Sequence, residues 1–373
     1  MNVIILGANH YNTLGLIWSF SEGGHDVYLI LRKERINYAA KSNKIKGYVL
    51  FEENSEIIDK VKQLAAGLHD KPLLVSSEDT GATIIDNHSK ELSAYCYLEG
   101  GREPGSINQY RNKDISNKLA EEIGFNIPKC ILLTNCDGAL PEAMTFPLII
   151  KCNNSLLGGK AIQRVCENET EFRAMTASIP NEYYPILVQE FIQKDYELVL
   201  FGCSVGFGEQ VYSAIANRKI RYTPNGLGTY GKSIRIEDDV EIRKLKELAS
   251  KYLKIIGYTG LWGIDFISKK NKYYFIEINL RNDGISYLST SCGFNLSGIL
   301  CKSINGEEIH TEFDYKPKFF IHPTMDFKNV FSGNIGLFKW FKQVLSNCCY
   351  ATYNRKDKKP FFYSILAIIL RRL

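Results

Sequence analysis

Apolar and polar positions alternate in a regular order along the first hundred residues. Short apolar runs predict strands, and apolar residues at helical spacing predict the segments between them. The predicted strands are 2–6, 27–31 and 73–75, and the predicted helices are 15–22, 57–66 and 80–85. Because helices separate these strands, the pattern favours a parallel sheet with crossover helices. We predict an α/β domain over residues 1–105 that ends in a turn-rich stretch.

The central part of the chain mixes helices with strands that lie closer together in sequence. Predicted helices are 113–123, 169–177 and 239–253, and predicted strands are 147–152, 186–192, 196–203 and 210–216. The last two strands are expected to pair antiparallel. The fold class is therefore α/β with an α+β part, and we divide this region into segments 106–185 and 186–325.

Two apolar strands joined by the polar turn 268–272 predict a hairpin that carries unusual polar side chains. Asp265 lies on its first strand, and Glu277 and Asn279 lie two apart on the second, so the latter two share a face. With Arg281 beside them, two carboxylates and an amide oxygen suit Mg²⁺ bound through a nucleotide's phosphates. The alternative is a surface hairpin with scattered polar residues. Acids in buried strands are costly unless paired, which favours the metal site.

A second group of residues suits phosphates. Lys151 ends an apolar strand, and the Asn/Gly-rich loop that follows contains Gly158, Gly159 and Lys160. Backbone in such a loop can close over phosphates. The alternative is an ordinary solvated turn with lysines.

The extended segment Gln189, Glu190, Phe191 and Ile192 can present backbone groups and an apolar contact to a base. Glu197, seven residues beyond Glu190, is placed to accept hydrogen bonds from ribose hydroxyl groups. The alternative is an edge strand that runs into a turn.

Composition and local motifs exclude several other classes. The net charge of +5 is mild and no basic patch has interleaved aromatics, so nucleic acid is not an expected partner. The first loop lacks the G-x-G-x-x-G motif and an acid at the end of the second strand, which argues against NAD. The ten cysteines form no C-x-x-C pair, so free thiols in a reducing, cytoplasmic setting are expected. The apolar start stops at Gly7, as a first strand does and a signal peptide does not.

The chain ends in a basic amphipathic tail, residues 326–373. Residues 337–345 predict a short basic helix, and 361–370 is a mostly apolar run followed by two arginines. Ten residues cannot span a bilayer, but a basic amphipathic segment can lie on an anionic membrane surface. The alternative is that both helices pack on the body of the protein.

Together these motifs resemble the ATP-grasp superfamily, in the order that the family shows. Residues 1–105 are similar to its Rossmann-like pre-ATP-grasp domain, and residues 106–325 to the small and C-terminal ATP-grasp subdomains. The resemblance adds Lys113, which begins a helix, as a phosphate ligand beside Lys151. It also implies that Glu190 and Ile192 meet adenine.

The remaining roles also follow from that resemblance. Asp265, Glu277 and Asn279 are expected to ligate two Mg²⁺ (or Mn²⁺) ions, and Arg281 to steady an acyl phosphate or a substrate carboxylate. Lys219 and Arg221, with Arg218, lie in a basic stretch similar to the family strand that supplies another cation, and the choice among them stays open. The candidates nearest an acceptor are Asn9, Asn12, Asp283, Ser286 and Ser289, each of which also suits an ordinary turn or cap.

Two positions depart from the family pattern and narrow the branch of the family that the sequence resembles. Leu280 stands where many members have proline, and Gly263 stands where the D-alanine ligase branch has arginine. The sequence is closer to D-aspartate-ligase-like and carbamoyl-phosphate-synthetase-like members.

The activity that the resemblance implies is ATP-dependent joining of a small-molecule carboxylate to an amine through an acyl phosphate. A cell-wall or surface-polysaccharide precursor and a homodimer are part of the expectation, as is a cytoplasmic location, with contact to the inner membrane face through the tail. A phosphotransferase and a non-catalytic nucleotide-binding protein are the alternatives.

Overall fold

The structure is a computed structural model that describes residues 1–136, 140, 144–157, 162–224 and 226–370. The chain forms two compact units. The first unit comprises residues 1–106, 198–263 and 279–373, and the second comprises residues 107–197 and 264–278. The chain thus leaves the first unit and returns to it twice. The predicted division into four segments stays a prediction.

The first unit begins with the predicted parallel sheet. Its strands are β1 (Asn2–Gly7), β2 (Asp26–Arg32), β3 (Ile45–Phe51), β4 (Leu73–Ser76) and β5 (Tyr97–Leu98). The helices between them are α1 (Tyr11–Glu22), α2 (Ile57–Ala66), α3 (Asp79–Asn87) and α4 (Ser89–Leu92). The order is β3-β2-β1-β4-β5, and every adjacent pair is parallel. The central strand is buried from Val3 to Leu6 because helices cover both faces, which explains its unbroken apolar run.

The second unit is built on a four-stranded antiparallel sheet. Its strands are β6 (Cys130–Leu133), β7 (Leu148–Cys152), β8 (Arg164–Cys166) and β9 (Ile186–Glu190), in the order β6-β9-β7-β8. Helices α5 (Lys113–Glu122) and α6 (Glu169–Ser178) belong to the same unit. β7 is buried along its whole length and packs in a core with Phe172 of α6. β9 ends at Glu190, two residues earlier than the predicted strand.

The rest of the chain contains a second antiparallel sheet, a hairpin and the C-terminal helices. The strands are β10 (Tyr196–Val205), β11 (Gln210–Tyr212), β12 (Ile215–Tyr222), β13 (Gly228–Arg235), β14 (Gly260–Lys269), β15 (Lys272–Asn279), β16 (Phe319–Ile321) and β17 (Cys348–Tyr350). The helices are α7 (Val240–Ile256), α8 (Tyr287–Ser291), α9 (Leu296–Asn305), α10 (Pro323–Asp326), α11 (Lys328–Phe331), α12 (Leu337–Val344) and α13 (Lys359–Leu370). In the first unit β12 pairs with β10 and β13, and β16 joins β13 to β17.

One predicted strand is wrong in detail. Residues 210–212 form all of β11 and residues 215–216 begin β12, with an interruption at Ser213 and Ala214. The hydroxyl group of Ser213 donates to the carbonyl oxygen of Phe201 at 2.7 Å, so this residue ties the turn to β10. The antiparallel pairing predicted for this region is confirmed. The predicted mixed α/β fold with a helical C-terminal segment is confirmed as well.

The C-terminal helices are short. Among the residues that the structure describes, every helix is too short or too polar to cross a bilayer. All ten cysteines are free thiols.

Candidate functional site

Lys151 is the most unusual charged residue of the second unit. It lies near the end of β7, where every residue is buried because both faces of the strand are covered. Its Nζ donates to Oε1 of Gln189 on the adjacent strand β9 at 2.8 Å. Burial lowers the pKa of Lys151 to about 8, while the carboxylate of Glu277 acts in the opposite direction. The ammonium group is therefore held with little solvation and will gain from an anionic partner.

Lys113 brings a second cation to the same unit. It is the first residue of α5, and its Nζ lies 3.7 Å from Oε2 of Glu277 on β15. Asn153 fixes this helix start, since its carbonyl accepts from the Lys113 N–H and its side chain bonds to Asp114. The loop after β7 and the start of α5 are thus tied together beside the predicted metal ligand.

The predicted hairpin is present and carries the predicted acids. β14 and β15 are joined by Lys270 and Asn271, both with positive φ, as a two-residue hairpin turn requires. Asp265 lies on β14 and Glu277 on the neighbouring strand β15. The two carboxylates offer hard oxygen ligands of the kind that Mg²⁺ prefers. No group of three or more His, Cys, Asp or Glu side chains in the described ranges is arranged to hold a metal ion.

The segment predicted to meet the base follows β9. The N–H of Glu190 donates to the carbonyl of Lys129, and the N–H of Phe191 donates to the carbonyl of Pro147. Ile192 comes after the strand has ended. Glu197 forms an ion pair with Lys194. Of the predicted phosphate loop, Gly158, Gly159 and Lys160 lie outside the described residues.

Arg281 and Asn279 belong to the first unit and bond to each other. Nη2 of Arg281 donates to Oδ1 of Asn279 at 3.1 Å and to Oδ2 of Asp79 at 3.2 Å, while Nη1 donates to the carbonyl of Asn282. Asp79 is the first residue of α3, directly after the C-terminal end of β4. The sequence interpretation missed Asp79, and its position at a helix start after a parallel strand is the signal that was available.

The acceptor candidates of the first unit bond mainly to one another and to backbone. Asn12 and Asn282 form a buried side-chain pair, and the hydroxyl group of Ser286 donates to Asn282 at 2.7 Å. Ser289, inside α8, donates to the carbonyl of Phe294. Asn9 donates to the carbonyl of Ile36 and accepts from the N–H of Tyr38, and Asp283 accepts from the N–H of Ile285.

The two cations predicted on β12 have different surroundings. Arg221 donates from Nε and Nη2 to the buried carboxylate of Asp326 at 2.8 and 2.6 Å, and from Nη1 to Gln343 at 2.9 Å. A β-bulge at Ile220 separates it from Lys219 in the pairing with β13. The side chain of Lys219 lies against Gly228, where an added Cβ would come within 2.5 Å of it. The sequence interpretation missed Asp326 and Gln343.

Gly263 shows why the D-alanine-ligase pattern does not apply at this position. A Cβ added there would lie 2.8 Å from Cβ of Asp283. A larger side chain therefore has no room in this backbone arrangement.

The chain is similar to several known proteins. The family model described as an ATP-grasp domain matches residues 111–285. The chain is 24% identical to D-aspartate ligase of Enterococcus faecium over 318 residues, which cover 79% of this chain and 74% of that protein. It is 21% identical to the carbamoyl phosphate synthase large chain of Thermoplasma volcanium over 242 residues, or 64% of this chain. That match spans only 23% of the synthase, so the chain matches about a quarter of the length of such relatives.

A solved structure shows the same fold. The N5-carboxyaminoimidazole synthetase of Staphylococcus aureus superposes with a TM-score of 0.68, covering 89% of this chain and 85% of that one at 13% identity. The predicted resemblance is confirmed by the domain match and by the fold. Residues 111–285 of this chain match the ATP-grasp domain.

Proposed function

We propose that the protein is an ATP-dependent carboxylate–amine ligase that forms an amide or peptide bond and releases ADP and phosphate. The observation that carries the proposal is the pair of lysines in the second unit. Lys151 is buried with a lowered pKa, and Lys113 lies 3.7 Å from an acid of the β14–β15 hairpin. Two poorly solvated cations beside a carboxylate can bind the triphosphate and its magnesium ion in magnesium–ATP.

Each candidate residue then has a role that its chemistry supports. Lys113 and Lys151 would bind phosphate oxygens, helped by the loop of Gly158, Gly159 and Lys160. Glu190 to Ile192 would meet adenine, and Glu197 would accept from the ribose after exchanging its bond to Lys194. Since the N–H groups of Glu190 and Phe191 already bond within the unit, a backbone donor to adenine would come from Ile192.

The metal ligands would be Asp265, Glu277 and Asn279, holding two Mg²⁺ or Mn²⁺ ions. When bound, such ions neutralise the charge that develops on the transferring phosphoryl group. To bind the metal, Glu277 would give up its contact with Lys113. The ammonium group of Lys113 would then contact the phosphates instead.

The proposed reaction has two steps. A carboxylate oxygen of the first substrate attacks the γ-phosphorus and ADP leaves. An uncharged amine then attacks the acyl carbon, phosphate leaves, and the nitrogen loses a proton. Arg281, already oriented by Asn279 and Asp79, would hold the acyl phosphate. Because the work is positioning and charge neutralisation, no nucleophilic side chain is required.

Of the cations on β12, Lys219 suits substrate or phosphate contact better than Arg221. All three nitrogens of the Arg221 guanidinium group already donate, to Asp326 and Gln343.

The test is ADP release with panels of carboxylates and amines, followed by product mass. D-aspartate belongs in the panel because of the relative that carries its name, and cell-wall and sugar-acid precursors belong in it as the predicted substrate class. An amide product supports the proposal. A phosphorylated carboxylate or alcohol without an amide would identify a phosphotransferase instead.

Asp265→Asn and Glu277→Gln should each lower ADP release at least about 100-fold, since a lost charge contact in the transition state costs that much. Glu182→Gln, an exposed acid of the same unit, is the matched control and should leave the rate unchanged. Full activity in both hairpin variants would show that the metal assignment is wrong.

A further inference from the structure

Two helices of the C-terminal tail, α12 and α13, turn most of their large apolar side chains outward. Leu337, Phe338 and Phe341 of α12, with Leu345 directly after it, follow one side of the helix and are exposed, Phe338 by 86% and Leu345 by 80%. Trp340, on a different side of the helix, is buried. This is the reverse of an amphipathic helix that packs on a core.

The second tail helix repeats the arrangement. On α13, Phe362, Leu366 and Ile369 are exposed, whereas Pro360 and Ser364 are buried. Phe331, at the end of α11, is exposed by 82%. Exposed apolar residues that recur on successive elements indicate an interaction surface.

Buried acids hold the tail on the first unit in this orientation. Asp357 accepts from Nε1 of Trp18 at 3.0 Å and from the hydroxyl group of Ser42 at 2.5 Å. Asp326 accepts from Nε1 of Trp340 at 2.9 Å and from Arg221. The outward apolar faces are therefore fixed by specific bonds between the inner faces and the body.

Between residues 327 and 370, every exposed charged side chain is positive. Between residues 327 and 370 the only acid is the buried Asp357. The cations of the same stretch are all exposed: Lys328, Lys339, Lys342, Arg355, Lys356, Lys358 and Lys359.

We propose that this tail surface, formed by α11, α12 and α13, docks on an anionic phospholipid bilayer. Exposed aromatic and aliphatic side chains with surrounding lysines are what an anionic lipid–water interface accepts. A second copy of the chain suits the surface poorly, because a two-fold contact would face cations with the same cations. This inference goes beyond the proposed ligase activity and does not depend on it.

The test is co-sedimentation of the full chain with vesicles, in the absence of substrates. The protein should bind vesicles that contain phosphatidylglycerol, should bind phosphatidylcholine vesicles much less, and should dissociate at high salt. Phe338→Ser combined with Leu345→Ser should weaken binding at least about tenfold, because two exposed apolar anchors are lost. Ile255→Ser, at an exposed apolar residue on α7, is the control and should bind as the parent does.

The charge contribution is tested separately. Lys339→Glu and Lys342→Glu should each weaken binding to the anionic vesicles by roughly fivefold or more, the effect of one cation near such a surface. Equal binding to neutral vesicles, or binding to neither kind, would overturn the proposal. So would a dimer in sedimentation equilibrium that the Phe338→Ser, Leu345→Ser variant abolishes, because the occupant would then be a second copy. ADP release by these variants should match the parent, which separates this test from that of the ligase.

Discussion

At the scale of single residues, Lys151 gives the proposed nucleotide site a pH dependence of known sign. In the free protein burial lowers its pKa to about 8. Bound phosphates would favour the ammonium form, so above pH 8 binding must take up a proton and the affinity for magnesium–ATP should fall. The limiting slope is about tenfold per pH unit, and titration calorimetry between pH 7 and pH 10 measures it.

Lys151→Arg is the informative control for this prediction. A guanidinium group stays charged throughout that range, so the dependence above pH 8 should disappear whatever the absolute affinity of the variant. An identical slope in the variant and the parent would mean that another group titrates. It would also remove Lys151 from the phosphate contacts.

At the scale of elements, the ion pair between Arg221 and Asp326 joins β12 to the C-terminal helices. Asp326 also accepts from Thr229 and Trp340, and it is fully buried. Asp326→Asn leaves the mostly buried guanidinium group of Arg221 without its counter-charge. We expect the free energy of unfolding to fall by about 3 kcal/mol, the lower end for breaking a buried pair.

Urea unfolding followed by tryptophan fluorescence measures this change, since Trp340 contacts the altered side chain. Glu241→Gln breaks an exposed pair with Lys244 and should change the free energy of unfolding by less than about 1 kcal/mol. If the Asp326→Asn variant is no less stable than this control, Arg221 does not depend on the acid and is available for a substrate.

The same elements show what local sequence can and cannot predict. β7, α5 and the β14–β15 hairpin were predictable, because burial and periodicity leave a local pattern that extends over each element. The partners of Arg221 and Arg281 were not predictable in this way. Asp326 is 105 residues from Arg221, and Asp79 is 202 residues from Arg281, so only the folded chain brings each pair together. The interruption at Ser213 was missed because it coincides with a side-chain bond to Phe201 on another strand, which a local pattern does not reveal.

The orientation of the tail helices could not be predicted from a local sequence pattern either. The sequence of α12 predicts an amphipathic helix but not which face is turned inward. That choice depends on the bond between Trp340 and Asp326, which fixes the side of the helix that carries Trp340 on the body. Membrane contact and packing on the body are therefore compatible, although the sequence presents them as alternatives.

At the scale of the whole molecule, the two compact units should respond differently to nucleotide. Lys113, Lys151 and Glu277 all belong to the second unit, so a ligand bound by them stabilises that unit against opening. At a concentration 100 times the dissociation constant, the stabilisation is about 2.7 kcal/mol, which slows amide exchange through such openings about 100-fold.

Hydrogen exchange with mass spectrometry resolves the two units by their peptides. With magnesium–ATP, peptides that contain β7, β9 and β15 should gain protection, while the peptide that contains β1 in the parallel sheet should change little. Glu277→Gln should remove the gain at β15 and β7 together, because the metal links the hairpin to the phosphates that Lys151 binds. Protection that appears in β1 but not in β7 would place the nucleotide in the first unit. The roles given to Lys113, Lys151 and the hairpin acids would then be wrong, whatever reaction the protein catalyses.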